Sequence, residues 1–179
     1  MENEDLLHVG QIVWKKRTLN VHKNYRTPTV TSVGGRDGSI RSADGLIELQ
    51  VAVRKELGGP GGQINPEELF SAGYAACFHS AVRRVAADKK VAIGKSTVEA
   101  HVGVCPNDDG PGFMLAAELH VTLPGANAET ARDVVRGAHM ICPFSNATRN
   151  NIDLRLSIKP ADGNDYDIRG DWHYVRNCT

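Results

Sequence analysis

The sequence predicts an α+β fold. Its strand-like runs are grouped rather than alternating one by one with helices, and only two segments carry a long helical period. The breaks between the first runs are Gly-Gly and Asp-Gly turns of the kind that close hairpins.

The elements follow in order. The first twenty or so residues are mixed and polar apart from an apolar cluster at Ile12 to Trp14, and read as an extension or an edge element. Residues 29–53, "TVTSVGGRDGSIRSADGLIELQVAV", alternate β-branched and polar residues and break at "GGRDG" and "ADG", giving strand, turn, strand, turn, strand. "ELGGPGGQ" is too rich in glycine to continue a strand and is a loop.

"NPEELFSAGYAACFHSAVRRVAADKK", residues 65–90, is the strongest helix. Asn65 suits the N-cap, Pro66 the first helical position, and Glu68 completes a capping box. Leu69, Phe70, Tyr74, Cys77, Phe78 and Val82 recur at helical spacing, and the first half is apolar nearly all round, as in a central helix. "STVEAHVGVCP" and "FMLAAELHVTLPG" are two strands around the turn "NDDGPG". "NAETARDVVRGAHMICPFSNATR" holds a second helix, capped by Asn127 and stopped before Pro143. "NIDLRLSIKP" is a closing strand, and residues 161–179 form a polar tail whose one sticky patch is "DWHYV".

Composition excludes several functions. The 179 residues carry 21 basic and 21 acidic side chains, so no global field recruits nucleic acid or anionic lipid. No apolar run approaches the roughly 20 residues of a membrane span. The opening "MENEDLLHVGQ" has neither the basic nor the apolar region of a signal peptide, and the expectation is a soluble, cytoplasmic protein. Its four cysteines, Cys77, Cys105, Cys142 and Cys178, are then expected to be inert, catalytic or metal-bound rather than a disulfide framework.

Cys77 is the informative one. A cysteine inside an apolar helix is most often core filling. As a nucleophile it needs a nearby cation, because the thiolate is the reactive form. Arg83 and Arg84 lie about two turns away on the solvent side. Arg36, in the tight turn "GGRDG", is placed to reach the start of the helix, where Glu67 can either serve as a first-turn charge or hold an arginine by a bidentate pair. Cys142 ends the second helix, where the dipole disfavours an anion. That position does not fit the C-x-x-S site of thioredoxin-type proteins, which opens a helix. His101, His120 and His139 lack the compact spacing of metal ligands, no C-x-x-C pair is present, and "GGPGG" lacks the Gly-Lys-Ser/Thr of a phosphate loop.

Taken together and in this order, "GGRDGSIRSADG", "KELGGPGG", "NPEELFSAGYAACFHSA" and "CPFSNATRNNIDLRL" resemble the organic hydroperoxide resistance (Ohr/OsmC) family. The resemblance spans residues 25–160, leaving 1–24 and 161–179 as extensions. It implies an OsmC-like fold with strongly bent antiparallel sheets wrapped around two central helices in an intertwined homodimer. It implies a thiol peroxidase with Cys77 peroxidatic, Cys142 resolving, Arg36 activating the thiol and Glu67 orienting Arg36. It also implies organic hydroperoxides as substrates, a dithiol reductant of the lipoylated-protein type, and no cofactor or metal. Phe70, Phe78, Met114 and Ile141 are candidates for an apolar wall around the peroxide tail. A non-enzymatic relative that binds apolar ligands or senses redox state is the alternative.

Overall fold

The computed structural model describes residues 6–9 and 12–15 by their backbone alone, and residues 27–107 and 110–168 in full. Cys178 and the "DWHYV" patch lie outside the described residues.

Strands β1 (Leu6–Val9) and β2 (Ile12–Lys15) pair as an antiparallel hairpin, so the N-terminal extension contains paired strands of its own. The next three strands, β3 (Val30–Val33), β4 (Gly38–Ser42) and β5 (Glu48–Val51), form the expected antiparallel meander in the order β3-β4-β5. Among the described residues its strands pack mainly on one another, with Val51 of β5 also bridged to Ile64, and Val30, Val33 and Leu46 are left exposed.

Helix α1 (Pro66–Asp88) begins as its sequence requires. The Asn65 side chain accepts from the Glu68 N–H at 2.8 Å, and the Glu68 carboxylate accepts from the Asn65 N–H at 2.8 Å. Two donors that the helix start leaves without intrahelical partners are satisfied together. Tyr74, Phe78, Val82 and Val85 are buried, and α1 packs on strand β6 (Thr97–Pro106) and helix α2 (Ala128–Ile141). Phe70 and Cys77, on the expected central half, are only half-buried within one chain.

Strand β6 pairs with β7 (Phe113–Thr122) across the "NDDGPG" turn, in register from Thr97–Thr122 to Pro106–Phe113. Along β6 the exposed residues Thr97, Glu99, His101 and Gly103 alternate with the half-buried Val98, Ala100, Val102 and Val104. This two-residue period gives the sheet one helix-covered face and one open face. Strand β8 (Asp153–Lys159) joins β7 in parallel, and β9 (Tyr166–Asp167) pairs antiparallel with β8. The large sheet is therefore mixed rather than wholly antiparallel: a parallel neighbour needs a crossover connection, and helices α2 and α3 supply it. Strand β9 also carries the sheet past Pro160, into the segment read as a tail.

Helix α3 (Pro143–Thr148) is an addition to the expected elements. Pro143 stops α2 by forcing Cys142 into an extended conformation, φ −67° and ψ 124°. It then occupies the first helical position of α3, where its missing N–H costs nothing. The core lies between the helices and the large sheet, around Tyr74, Phe78, Leu119, Val134, Leu156 and Ile158.

Candidate active site

The turn between β3 and β4 presents Arg36. Gly34 and Gly35 both have positive φ, +81° and +62°, and the Asp37 N–H closes the turn onto the Gly34 carbonyl at 3.2 Å. A Cβ on Gly34 would lie 2.8 Å from the Asp37 oxygen, so both the conformation and the space call for glycine. From this turn the Arg36 guanidinium donates twice to Glu67, Nη1 to Oε2 at 3.0 Å and Nη2 to Oε1 at 2.5 Å. This planar fork is the geometry for which arginine is suited. The hydrogen bond to Arg36 is the main reason that the Glu67 carboxyl is held below its ordinary range, with burial opposing. In return, Glu67 holds the Arg36 guanidinium above its ordinary value.

Cys77 and Cys142 form the second part of the site. Their sulfurs lie 3.6 Å apart and both thiols are free. Cys77 is half-buried and Cys142 fully buried. The joint between α2 and α3 holds Cys142 from both sides: its N–H donates to Ala138 O at 2.9 Å, and its carbonyl accepts from the Asn146 N–H at 2.9 Å. Burial pushes the Cys77 thiol up, the Phe144 backbone pulls it down, and Cys142 pushes it up again.

The two parts are separate within one chain. Glu67 and Cys77 lie ten residues apart on α1, about 15 Å of helix rise. Arg36 is not among the groups acting on the Cys77 thiol. The apolar residues also divide. The Phe70 ring meets Phe144 edge-on at 5.5 Å, Met114 is half-buried on β7, and Ile141 is 49% exposed beside Cys142. Phe78 is fully buried against Tyr74 and is part of the core, not of a substrate wall.

Several features escaped the sequence reading. The "CPFSNATR" run carries the Phe144 backbone that pulls the Cys77 thiol down, the Ser145 and Thr148 hydroxyls that meet Tyr74, and Arg149, whose Nη2 donates to the His139 carbonyl at 2.5 Å. Burial, together with the charge of Arg149, brings the His139 imidazole down to about 4. Pro143 was the available signal, because a proline both stops one helix and starts another. Cys105 is disulfide-bonded, against the expectation of unpaired thiols.

Among the described residues, no group of three or more His, Cys, Asp and Glu side chains could hold a metal ion, and no helix is long and apolar enough to cross a membrane. A cavity of about 730 Å³ opens on the bare face of the large sheet, lined by charged side chains such as Glu99, Glu118, Arg155 and Lys159. Neither Cys77 nor Cys142 lines it.

A two-layer α+β domain with a free cysteine pair bridging its two main helices defines an OsmC-type thiol domain, and residues 59–157 match the family model described as OsmC-like protein. The organic hydroperoxide resistance protein-like 2 of Staphylococcus epidermidis is 41% identical over 131 residues, covering 73% of this chain and 92% of the relative. The organic hydroperoxide resistance protein of Xanthomonas axonopodis pv. citri is 40% identical over 134 residues, covering 74% of this chain and 93% of the relative. The crystal structure of an organic hydroperoxide resistance protein OsmC from Legionella pneumophila superposes with a TM-score of 0.72 at 41% identity, covering 75% of this chain and 98% of that one. The chain belongs to the OsmC/Ohr family.

Proposed function

We propose that this protein is a thiol peroxidase that reduces organic hydroperoxides to alcohols in the defence against oxidative stress. The observation that carries the reading is the 3.6 Å separation of two free sulfurs, one half-buried and one fully buried. The Cys77 thiolate attacks the terminal peroxide oxygen, the O–O bond breaks, and the alkoxide leaves and takes a proton to become the alcohol. Cys77 is left as a sulfenic acid. The Cys142 thiol then displaces water from that sulfur, forming the Cys77–Cys142 disulfide. An external dithiol, of the kind carried by lipoylated proteins, restores both thiols by exchange.

Arg36, oriented by Glu67, is proposed to offset the charge on the thiolate and on the leaving oxygen. With Arg36 and Cys77 apart in the single chain, this role requires Arg36 to be delivered when substrate binds or when a second copy assembles. A homodimer fits the exposed Val30, Val33 and Leu46 of the small sheet and the half-buried apolar start of α1. The catalytic domain is taken as residues 25–160 with extensions on either side, and the compartment as the cytoplasm.

The alternative, an apolar-ligand-binding or redox-sensing protein, has one observation on its side: burial and Cys142 both raise the Cys77 thiol. Steady-state peroxide consumption driven by a lipoyl dithiol separates the two readings. Peroxidase activity is expected, with kcat/KM for cumene or fatty-acid hydroperoxide at least ~10-fold above that for hydrogen peroxide, the factor that two or three buried methylenes supply. No turnover with any organic hydroperoxide would leave the alternative standing.

A further inference from the structure

Pro143 removes one bond from the end of α2. In an α-helix the carbonyl of residue 139 would accept from the N–H of residue 143, and proline has none. That carbonyl belongs to His139, which is 2% exposed and meets little water. Arg149 supplies the missing donor, its Nη2 reaching the His139 carbonyl at 2.5 Å. Arg149 stands at the C-cap of α3 and turns back along that helix. Its Nη1 donates to Asn146 Oδ1 at 2.8 Å, and its Nε donates to His139 Nε2 at 3.4 Å. Burial and the guanidinium keep that imidazole neutral at pH 7, so its nitrogen can accept.

One guanidinium therefore bonds to residues on both sides of Cys142, His139 before it and Asn146 after it. The main chain is tied between the same places. The Cys142 N–H donates to Ala138 O and the Asn146 N–H donates to the Cys142 carbonyl, both at 2.9 Å. The Cys142 sulfur, 3.6 Å from Cys77 Sγ, belongs to the middle of this bonded joint. The Phe144 ring seats the joint on α1, packing at 5.5 Å against Phe70 and at 5.6 Å against Tyr74. A Cβ on Gly73 would come within 3.1 Å of Phe144 Cζ, so the ring closes on α1 where α1 has no side chain. We propose that Arg149 is a positioning residue for the resolving step, its guanidinium holding α2 against α3 so that the Cys142 sulfur stays within reach of Cys77. In that step the Cys142 sulfur bonds to the sulfenic sulfur of Cys77 and the Cys77 S–O bond breaks. The departing hydroxide takes the Cys142 thiol proton and leaves as water. Satisfying one buried carbonyl needs a single donor. Arg149 bonds to three atoms on two helices, and it is not among the groups acting on the Cys77 thiol.

The inference rests on the peroxidase reading only in taking Cys77 and Cys142 as the reacting pair, and its test needs no peroxide. The protein is equilibrated at pH 7 in mixtures of glutathione and glutathione disulfide, which oxidise the pair by exchange. One glutathione disulfide yields one protein disulfide and two glutathione thiols. Alkylation and mass spectrometry of the Cys77 and Cys142 peptides then give the effective concentration of one sulfur at the other. Arg149→Gln removes the charge and the fork, and is expected to lower that concentration about tenfold, as the loss of one hydrogen bond from a charged group would. Arg149→Lys keeps the charge but cannot span both helices with a planar fork, and should recover only part. Iodoacetamide should alkylate Cys77 at equal rates in Cys142→Ser and in Cys142→Ser/Arg149→Gln. An unchanged effective concentration in folded Arg149→Gln overturns the proposal. So does a tenfold change in Cys77 alkylation, which would mark a general loosening of the fold. If Arg149→Gln fails to fold, Asn146→Ala decides: its exposed side chain carries one bond of the clamp, so a fall of a few fold is expected and no change overturns the proposal. A lowered effective concentration in a protein that consumes no peroxide keeps the positioning role and removes the peroxidase; an unlowered one in an active peroxidase does the reverse.

Discussion

Replacing Glu67 by glutamine tests whether Arg36 and Glu67 act as one unit. The substitution keeps the side-chain shape and removes the charge that receives two guanidinium bonds, at 3.0 and 2.5 Å. A wholly buried pair broken on one side would lose about 3–5 kcal/mol. Here the Glu67 side chain is 12% exposed but that of Arg36 is 51% exposed, so water screens the pair and about 1 kcal/mol is expected. The pH dependence follows from the Glu67 shift. The folded state lowers the Glu67 carboxyl below its ordinary 4.5, chiefly through Arg36, so folding favours the ionised form. That stability is fully present above the unfolded value and is lost as pH falls through the folded one. Urea unfolding of wild type, Glu67→Gln, Arg36→Ala and the double variant at pH 7 and again at about pH 3.5 measures it. At neutral pH the double variant should lose no more than the costlier single one, and the Glu67→Gln deficit should shrink in acid. Additive losses, or a deficit of equal size at both pH values, would refute the pairing argument.

Cys77→Ser should abolish peroxide consumption, whereas Cys142→Ser should complete one turnover and stop as a sulfenic acid; stopped-flow peroxide loss with sulfenic-acid trapping reads both, and rapid oxidation of Cys142 in the Cys77→Ser protein would reverse the two roles. Gly73→Ala gains about 1 kcal/mol of helix propensity and loses a similar amount to the 3.1 Å approach on Phe144 Cζ, because Phe70 and Tyr74 leave that ring little room to retreat. Its melting temperature should stay close to wild type while peroxide-driven loss of the two thiols slows, and a rise of several degrees with unchanged thiol loss would show that the ring has space.

Local signals carried much of the fold. The capping box at Asn65 and Glu68, the turn at "GGRDG" and the two-residue period of β6 are each written within a few neighbouring residues. The possibility that Glu67 takes an arginine fork was readable from residue types, whereas the roles of Cys77 and Cys142 came from a family resemblance and not from their spacing. The parallel placement of β8 beside β7 was not readable, since strand order is decided by long-range packing. Helix α3 was hidden because Pro143 carries the same letter whether it ends a helix or begins one. The influence of the Phe144 backbone on the Cys77 thiol was hidden more deeply, because a backbone amide has no residue type. Phe78 fitted the periodicity of a pocket wall equally well, until the fold turned it inward.

The clamp on Cys142 has a bearing on signalling. Its N–H and carbonyl are both engaged in helical bonds, and Pro143 fixes the chain direction between them. Joining the sulfurs asks for closure from 3.6 Å to about 2 Å. A protein that reports its oxidation to a partner has to change a surface that the partner can read. The backbone bonds on both sides of Cys142 oppose such a change at this joint, since they tie the end of α2 to the start of α3.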